Sequence, residues 1–257
     1  SHHCGWGGLL NEMNQSGLVP NAAIYSLVIS VCGRSWNWQR AFLLFEEMKR
    51  FRIFPDVVTY NTIIDVCIAS DNPAKALTYF DEMKKAGVTP DVSSFNLLMR
   101  ARMKMAEHKK VFLILDDLKT AGHVPNIATY NLLVEACAHT GKAAQCMDIL
   151  KEMKNHKMWP DMHTVHNAVL ACCRGKDVQK ALELYHFVVR GGHIPPEELG
   201  FAVIEAAAKG GYCHEALAVY DEIRKFGTVP DASTICVLID TCSRIGELEK
   251  TMKIFRE

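Results

Sequence analysis

The sequence predicts an all-α solenoid of helix-turn-helix hairpins with a 35-residue period, and three regularities predict it. Pro20, Pro55, Pro90, Pro125, Pro160, Pro195 and Pro230 stand 35 residues apart, leaving only Pro73 and Pro196 outside the series. Between one proline and the next, apolar residues recur in two separate stripes, each at the spacing of one helix face. A glycine precedes most of these prolines (Gly17, Gly87, Gly122, Gly192, Gly227), where a left-handed cap ends a helix and the proline three residues on prevents its continuation. A fixed step of about 20 to 50 residues marks units too small to bury their own apolar faces, which stack on their neighbours instead.

Starting each unit two residues after its proline gives the second half of a partial repeat (1–21), six whole repeats (22–56, 57–91, 92–126, 127–161, 162–196 and 197–231) and an incomplete seventh (232–257). The fourth, seventh, eighth and eleventh residues of a unit are mostly apolar, as in Tyr60, Ile63, Ile64 and Cys67, which is one face of a first helix. A second stripe falls at the twentieth, twenty-first, twenty-fourth and twenty-seventh residues, as in Ala41, Phe42, Phe45 and Met48, then Ala76, Leu77, Phe80 and Met83. Half of the ten cysteines, Cys32, Cys67, Cys137, Cys172 and Cys242, take the eleventh place, where a small apolar residue packs. Equivalent atoms of stacked hairpins lie about 10 Å apart, beyond disulfide reach, so reduced thiols and a reducing compartment are expected.

Composition narrows the function. No apolar run reaches the ~18 residues of a membrane span, and the opening SHHCGWGG lacks the order of a secretory signal, so no membrane partner is expected. No CxxC pair, Walker loop, nucleophile elbow or HExxH occurs; HEAL at His214 lacks the second histidine, and His163 and His166 have no cysteine or carboxylate spaced to join them. A protein that is not an enzyme, with no cofactor and no metal, is expected. Lys plus Arg equals Asp plus Glu at 29 each, yet the signs are segregated. The thirteenth place carries Arg34, Lys104, Arg174, Lys209 and Arg244, with His139 in the series and Ala69 its gap; the second helices carry acidic pairs expected to face outward, Glu46-Glu47, Asp81-Glu82, Asp116-Asp117 and Asp221-Glu222. A basic column can track phosphates, or simply favour the C-terminal dipoles of the first helices.

The pattern VVTYNTIIDVC…A…FDEMKKAGVTPD, with its Tyr-Asn start, its Phe-x-x-Met end and the constant step, resembles the P-type pentatricopeptide repeat family over almost the whole chain. Tetratricopeptide repeats fit less well: a step of about 34 residues would slip one residue per unit, and their glycine at the eighth place meets Ile29, Ile64, Met99, Val134 and Ile204. The resemblance implies a right-handed superhelix in a chloroplast, or less preferably a mitochondrion, binding single-stranded RNA one base per repeat through the fifth and last residues of each unit. Those pairs are Ser26 with Asp56, Asn61 with Asp91, Asn96 with Asn126, and Asn131 with Asp161. By the family's code they imply a core near 5′-G-U-(C/U)-U-3′, and the fifth residues are expected to form a ladder along one edge. Asp and Asn ahead of a helix are also common N-caps.

The family uses the second residue, here Val58, to support a base by apolar contact; it is small at Ala23, Ser93 and Ala128. The pattern breaks at His166 with Pro196 and at Phe201 with Asp231, while Cys236 takes the fifth place of repeat 7. There His166 and Phe201 would stack on a base without choosing it, or the repeats would hold protein. By resemblance, such a protein acts in stabilisation, processing, splicing or translation of a transcript, with other proteins of a ribonucleoprotein complex as partners. The rival reading is a scaffold subunit of an organellar ribosome or RNA polymerase.

Overall fold

The structure, a computed structural model, describes residues 20–227, 229–247 and Met252. Most of the partial repeat 1–21, Gly17 included, and most of the chain after Glu247 in repeat 7 lie outside the described residues. All regular structure among these is α-helical. The first helices of the repeats are α1 (Ala22–Arg34), α3 (Val57–Ala69), α5 (Val92–Lys104), α7 (Ile127–Thr140), α9 (Met162–Arg174), α11 (Glu197–Lys209) and α13 (Ala232–Ile245). The second helices are α2 (Trp38–Arg50), α4 (Pro73–Lys85), α6 (His108–Thr120), α8 (Ala143–Asn155), α10 (Val178–Arg190) and α12 (Cys213–Lys225).

Local chemistry sets these boundaries. The side chains of Asn21, Asp56, Asp91, Asp161 and Asp231 accept the backbone N–H three residues on, at 2.8 to 3.1 Å, and so start five of the first helices. Pro73, outside the 35-residue series, opens α4 behind the cap Asn72, where its missing N–H costs nothing. Second helices end on left-handed residues: Gly87, Gly122, Gly192 and Gly227 in four repeats, Arg52 and Lys157 in the other two. At Gly87 (φ +75) the turn lets Val88 N–H reach Met83 O at 3.1 Å.

The described residues form two compact units, one up to Asn126 and one from Ile127 onward. In the first, α1 packs on α2 and α3, α3 on α4 and α5, and α5 on α4 and α6; in the second, α9 packs on α7, α8, α10 and α11, and α11 on α10, α12 and α13. Within each unit a hairpin thus closes its apolar side against the next. Tyr60, Ile63, Ile64 and Cys67 are buried as their spacing requires, and truncating a core ring such as Phe80 to alanine would cost about 3–5 kcal/mol. Burial raises the Cys67 thiol to about 12 and Cys172 to about 11, so these thiols pack rather than react. No helix among the described residues is long and apolar enough to cross a membrane.

Two expectations change. The buried stripe of the second helix runs through residues 20, 23, 24 and 27: Leu44 and Tyr79 are buried, whereas Phe42 and Leu77 are half-buried. That stripe is i, i+3, i+4, i+7; the twenty-first residue lies about 100° round the helix from the twentieth, at the rim of the contact. Nor do the acidic pairs all face water. Glu82 is half-buried, accepting from Lys49 Nζ at 3.0 Å and from the Tyr60 hydroxyl at 3.4 Å, and Tyr130 donates to Glu152 in the same way at 3.1 Å. A buried tyrosine needs a partner for its hydroxyl, and the acid one turn of packing away supplies it. Burial, with Glu82 beside it, pushes Tyr60 up to about 12.

Candidate nucleic-acid interface

The fifth and last residues of a repeat are 30 positions apart and meet where the next first helix begins. Asn61 Nδ2 donates to Asp91 Oδ1 at 3.1 Å, Asn96 Nδ2 to Asn126 Oδ1 at 3.2 Å, and Asn131 Nδ2 to Asp161 Oδ2 at 3.4 Å. The third residue of the following repeat braces the pair. The Ser94 hydroxyl lies 2.7 Å from Asn61 Oδ1 and 2.9 Å from Asp91 Oδ1; the Thr164 hydroxyl lies 2.7 Å from both Asn131 Oδ1 and Asp161 Oδ1. Because a carboxylate only accepts, the asparagine must turn its amide nitrogen to the aspartate and its oxygen to the hydroxyl, so both amide orientations are fixed.

The cap and the pair share atoms economically. On Asp91, the Ser94 N–H, the Ser94 hydroxyl and the Asn61 amide all converge on Oδ1, and Oδ2 accepts none of them. On Asp56, Thr59 N–H at 2.8 Å and Thr59 hydroxyl at 2.7 Å likewise use Oδ1. Burial raises the Asp91 carboxyl, but the Ser94 amide and hydroxyl and the Asn61 amide outweigh it and hold the group below the usual carboxylate range. Thr164, through its amide and hydroxyl, holds Asp161 low as well. Both are anions at neutral pH.

Repeat 1 departs from the expected ladder. Ser26 is 5% exposed, its hydroxyl 3.0 Å from Ala22 O and 2.7 Å from Thr59 Oγ1, and Thr59 gives its own hydrogen to Asp56. Serine is too short to reach Asp56, so it lies inside the contact between repeats instead of on the edge. Asn96, at 9%, is also covered, whereas Asn61 and Asn131 are half-buried and Asp56, Asn126 and Asp161 are exposed. Val58 is exposed one turn from these groups. Sequence reasoning missed the bracing hydroxyl, although its signal was present: Thr59, Ser94, Thr129, Thr164 and Thr234 recur every 35 residues as buried polar side chains.

Repeats 5 and 6 bring no such pair together. His166 is half-buried, its Nδ1 has no hydrogen-bond partner, and burial followed by His163 lowers its pKa. Pro196 has no group to offer it, and Leu199 replaces the bracing hydroxyl. Phe201 packs against the core, Asp231 caps α13, and Cys236 is exposed. Among the described residues no group of three His, Cys, Asp or Glu is placed to hold a metal ion.

The basic column is mostly engaged. Lys104 pairs with Asp71 at 3.1 Å, Lys209 with Glu205 at 2.5 Å and Arg244 with Asp240 at 2.6 Å. Arg174 donates to Ala138 O at 2.7 Å and Arg244 to Ala208 O at 3.4 Å, each reaching a carbonyl in the last turn of the preceding repeat's first helix. All five cations, Arg34 included, remain exposed.

Family models match the repeats: the PPR repeat family matches residues 20–68 and 55–104, and the pentacotripeptide-repeat region of PRORP matches residues 109–240. The chain is a pentatricopeptide repeat protein. Similar solved structures include the pentatricopeptide repeat protein PPR10 from maize (TM-score 0.53, 20% identity, 96% of this chain and 44% of that one). PPR10 in complex with an 18-nt psaJ RNA element superposes at TM-score 0.58, with 19% identity over 97% of this chain and 41% of that one. The nuclear proteinaceous RNase P 2 from A. thaliana matches at TM-score 0.59 and 17% identity, over 71% of this chain and 41% of that one. This pentatricopeptide repeat chain therefore spans less than half the length of these structures, and at such identities the likeness concerns the fold. No curated protein matches it in sequence.

Proposed function

We propose that the chain binds single-stranded RNA and reads one base per repeat with the paired fifth and last side chains. The observation that carries this is the Asn61–Asp91 pair: once its internal bonds are made, one amide N–H and carboxylate Oδ2 are left side by side. A donor beside an acceptor complements the carbonyl and N3–H of uracil; in Asn131 with Asp161 the amide is bonded to Oδ2 while Thr164 holds Oδ1, so the acceptor there is the second lone pair of Oδ2. In repeat 1 the retracted Ser26 leaves Asp56 as an exposed acceptor, which complements the two adjacent N–H groups of guanine. Asn96 with Asn126, an amide against an amide, accommodates cytosine or uracil. Val58 gives the base an apolar surface to lie on; Arg34 meets phosphate directly, and Lys104, Arg174, Lys209 and Arg244 exchange their present partners for phosphates.

PPR10 with its bound RNA element supports the reading by fold likeness. On likeness alone we extend the proposal to a P-type protein acting in a chloroplast or mitochondrion, by occupying a transcript segment. Fluorescence anisotropy tests it: RNAs containing GUCU or GUUU are expected to bind at least ~10-fold more tightly than scrambled controls, given about 1–3 kcal/mol per well-read base. Equal binding of all sequences would end the one-base reading, and no binding at micromolar protein would favour the scaffold role.

A further inference from the structure

Between α1 and α3 lies a cleft of about 290 Å³ lined by Ser30, Arg34, Trp36, Trp38, Thr62 and Asp65. Trp36 is 79% exposed, and Trp38 meets it edge-on with ring centroids 5.4 Å apart, which steadies the ring. Its backbone is left-handed (φ +59), as is the same turn in every later repeat, where Asp71, Ala106, Gly141, Lys176, Gly211 and Gly246 stand. Three of those six are glycine; a bulky aromatic at this position is disfavoured by its backbone and again by its exposed indole. With so much of the ring in water, core packing does not compensate either cost.

The surroundings point to a ligand. Arg34 makes no hydrogen bond or ion pair among the described residues, unlike Lys104, Arg174, Lys209 and Arg244 at the same place in their repeats. Asp65 on the opposite wall is already neutralised by Arg100 at 2.9 Å, so the cleft carries the charge of Arg34. Gly33 lets the helices close its floor: a Cβ there would lie 2.6 Å from Val66 Cγ2. The two indoles therefore stand beside a shallow, singly cationic slot.

We infer that this cleft binds a purine nucleotide of the RNA, its base stacked on Trp36, its phosphate on Arg34, and an exocyclic amine or ribose hydroxyl donating to Asp65. The inference takes its ligand from the RNA reading above but adds a contact outside the base-reading pairs. Stacking on an aromatic ring is sequence-tolerant and favours the larger bases.

The test uses the full chain and two probes. AMP, titrated against tryptophan emission, is expected to quench the parent, less so W36F, and least W36G. For RNA carrying GUCU, replacing the purines that flank it by abasic sites is expected to weaken the parent about 10-fold and W36G hardly at all. W36G relieves the left-handed backbone, so it should melt no lower than the parent while binding more weakly. A W36G chain that melts well below the parent, or that keeps the full AMP response and the full purine dependence, overturns the inference. Loss of preference for GUCU over scrambled RNA with AMP binding at Trp36 intact would instead refute the base-reading pairs and leave this site standing.

Discussion

In repeat 2, Asn61 and Asp91 are joined at 3.1 Å and braced by Ser94; in repeat 5 the same places hold His166 and Pro196, and the brace is Leu199. Both repeats nevertheless make the same hairpin. The helix after Asp91 starts on a side-chain cap, whereas α11 starts on Pro196, with Leu199 N–H bonded to the Pro196 carbonyl at 3.0 Å and Glu197 and Glu198 facing the positive end of the dipole. A helix start can thus be made with or without a spare carboxylate oxygen. Folding and base reading share residues but are separable, and repeat 5 keeps the first while lacking the atoms for the second.

Breaking the pair in repeat 2 should give the largest effect. Asp91→Ala removes the cap of α5 together with the spare acceptor Oδ2, so thermal or urea unfolding should show a loss of about 0.5–2 kcal/mol. Anisotropy on GUCU RNA should show weakening of ~10-fold or more, concentrated on the base at the second place. A loss of stability with unchanged binding would make Asp91 a cap and nothing else.

Building the pair into repeat 5 should give an intermediate effect of opposite sign. In His166→Asn with Pro196→Asp, the new amide and carboxylate occupy the places that Asn61 and Asp91 hold in repeat 2. The variant should gain about 5- to 10-fold preference for uracil at the fifth place of the RNA, measured against the other three bases there. Adding Leu199→Thr to supply the brace should sharpen that preference; a flat response in the triple variant would show that the pair needs more than its three side chains.

The smallest effect is in pH. Burial, then His163, lowers His166 below its ordinary 6.5, against the pull of Glu198. The unfolded chain therefore takes up this proton first as pH falls. Stability from this group is unchanged above about pH 6.5 and declines through the window down to its lower folded value. Asp91 and Asp161 are depressed carboxylates, so their contributions are present above about 3.9 and are lost only as pH falls through their still lower folded values. Melting temperatures at pH 7 and 5 should show a small decline in the parent that His166→Gln lacks, while Asp91→Ala shifts both by the same amount.

Much of this was legible in the chain. The 35-residue series of prolines, the apolar face carrying Tyr60, Ile63, Ile64 and Cys67, and the caps at Asp56, Asp91 and Asp161 follow from local rules: fixed φ at proline, helical spacing of apolar side chains, and a carboxylate ahead of open N–H groups. That Asn61 belongs with Asp91 was available only through the family resemblance, since nothing local links residues 30 apart. The tertiary structure decided which atoms are left over. Ser26 retreats into the contact with Thr59 because it is short, Ser94 and Thr164 orient the pairs because stacking brings their hydroxyls within 2.7 Å of the asparagine oxygens, and Arg174 is turned toward a helix carbonyl. A side chain's type is written in sequence, but which of its lone pairs and hydrogens remain unused depends on neighbours that only the packed repeats bring into range.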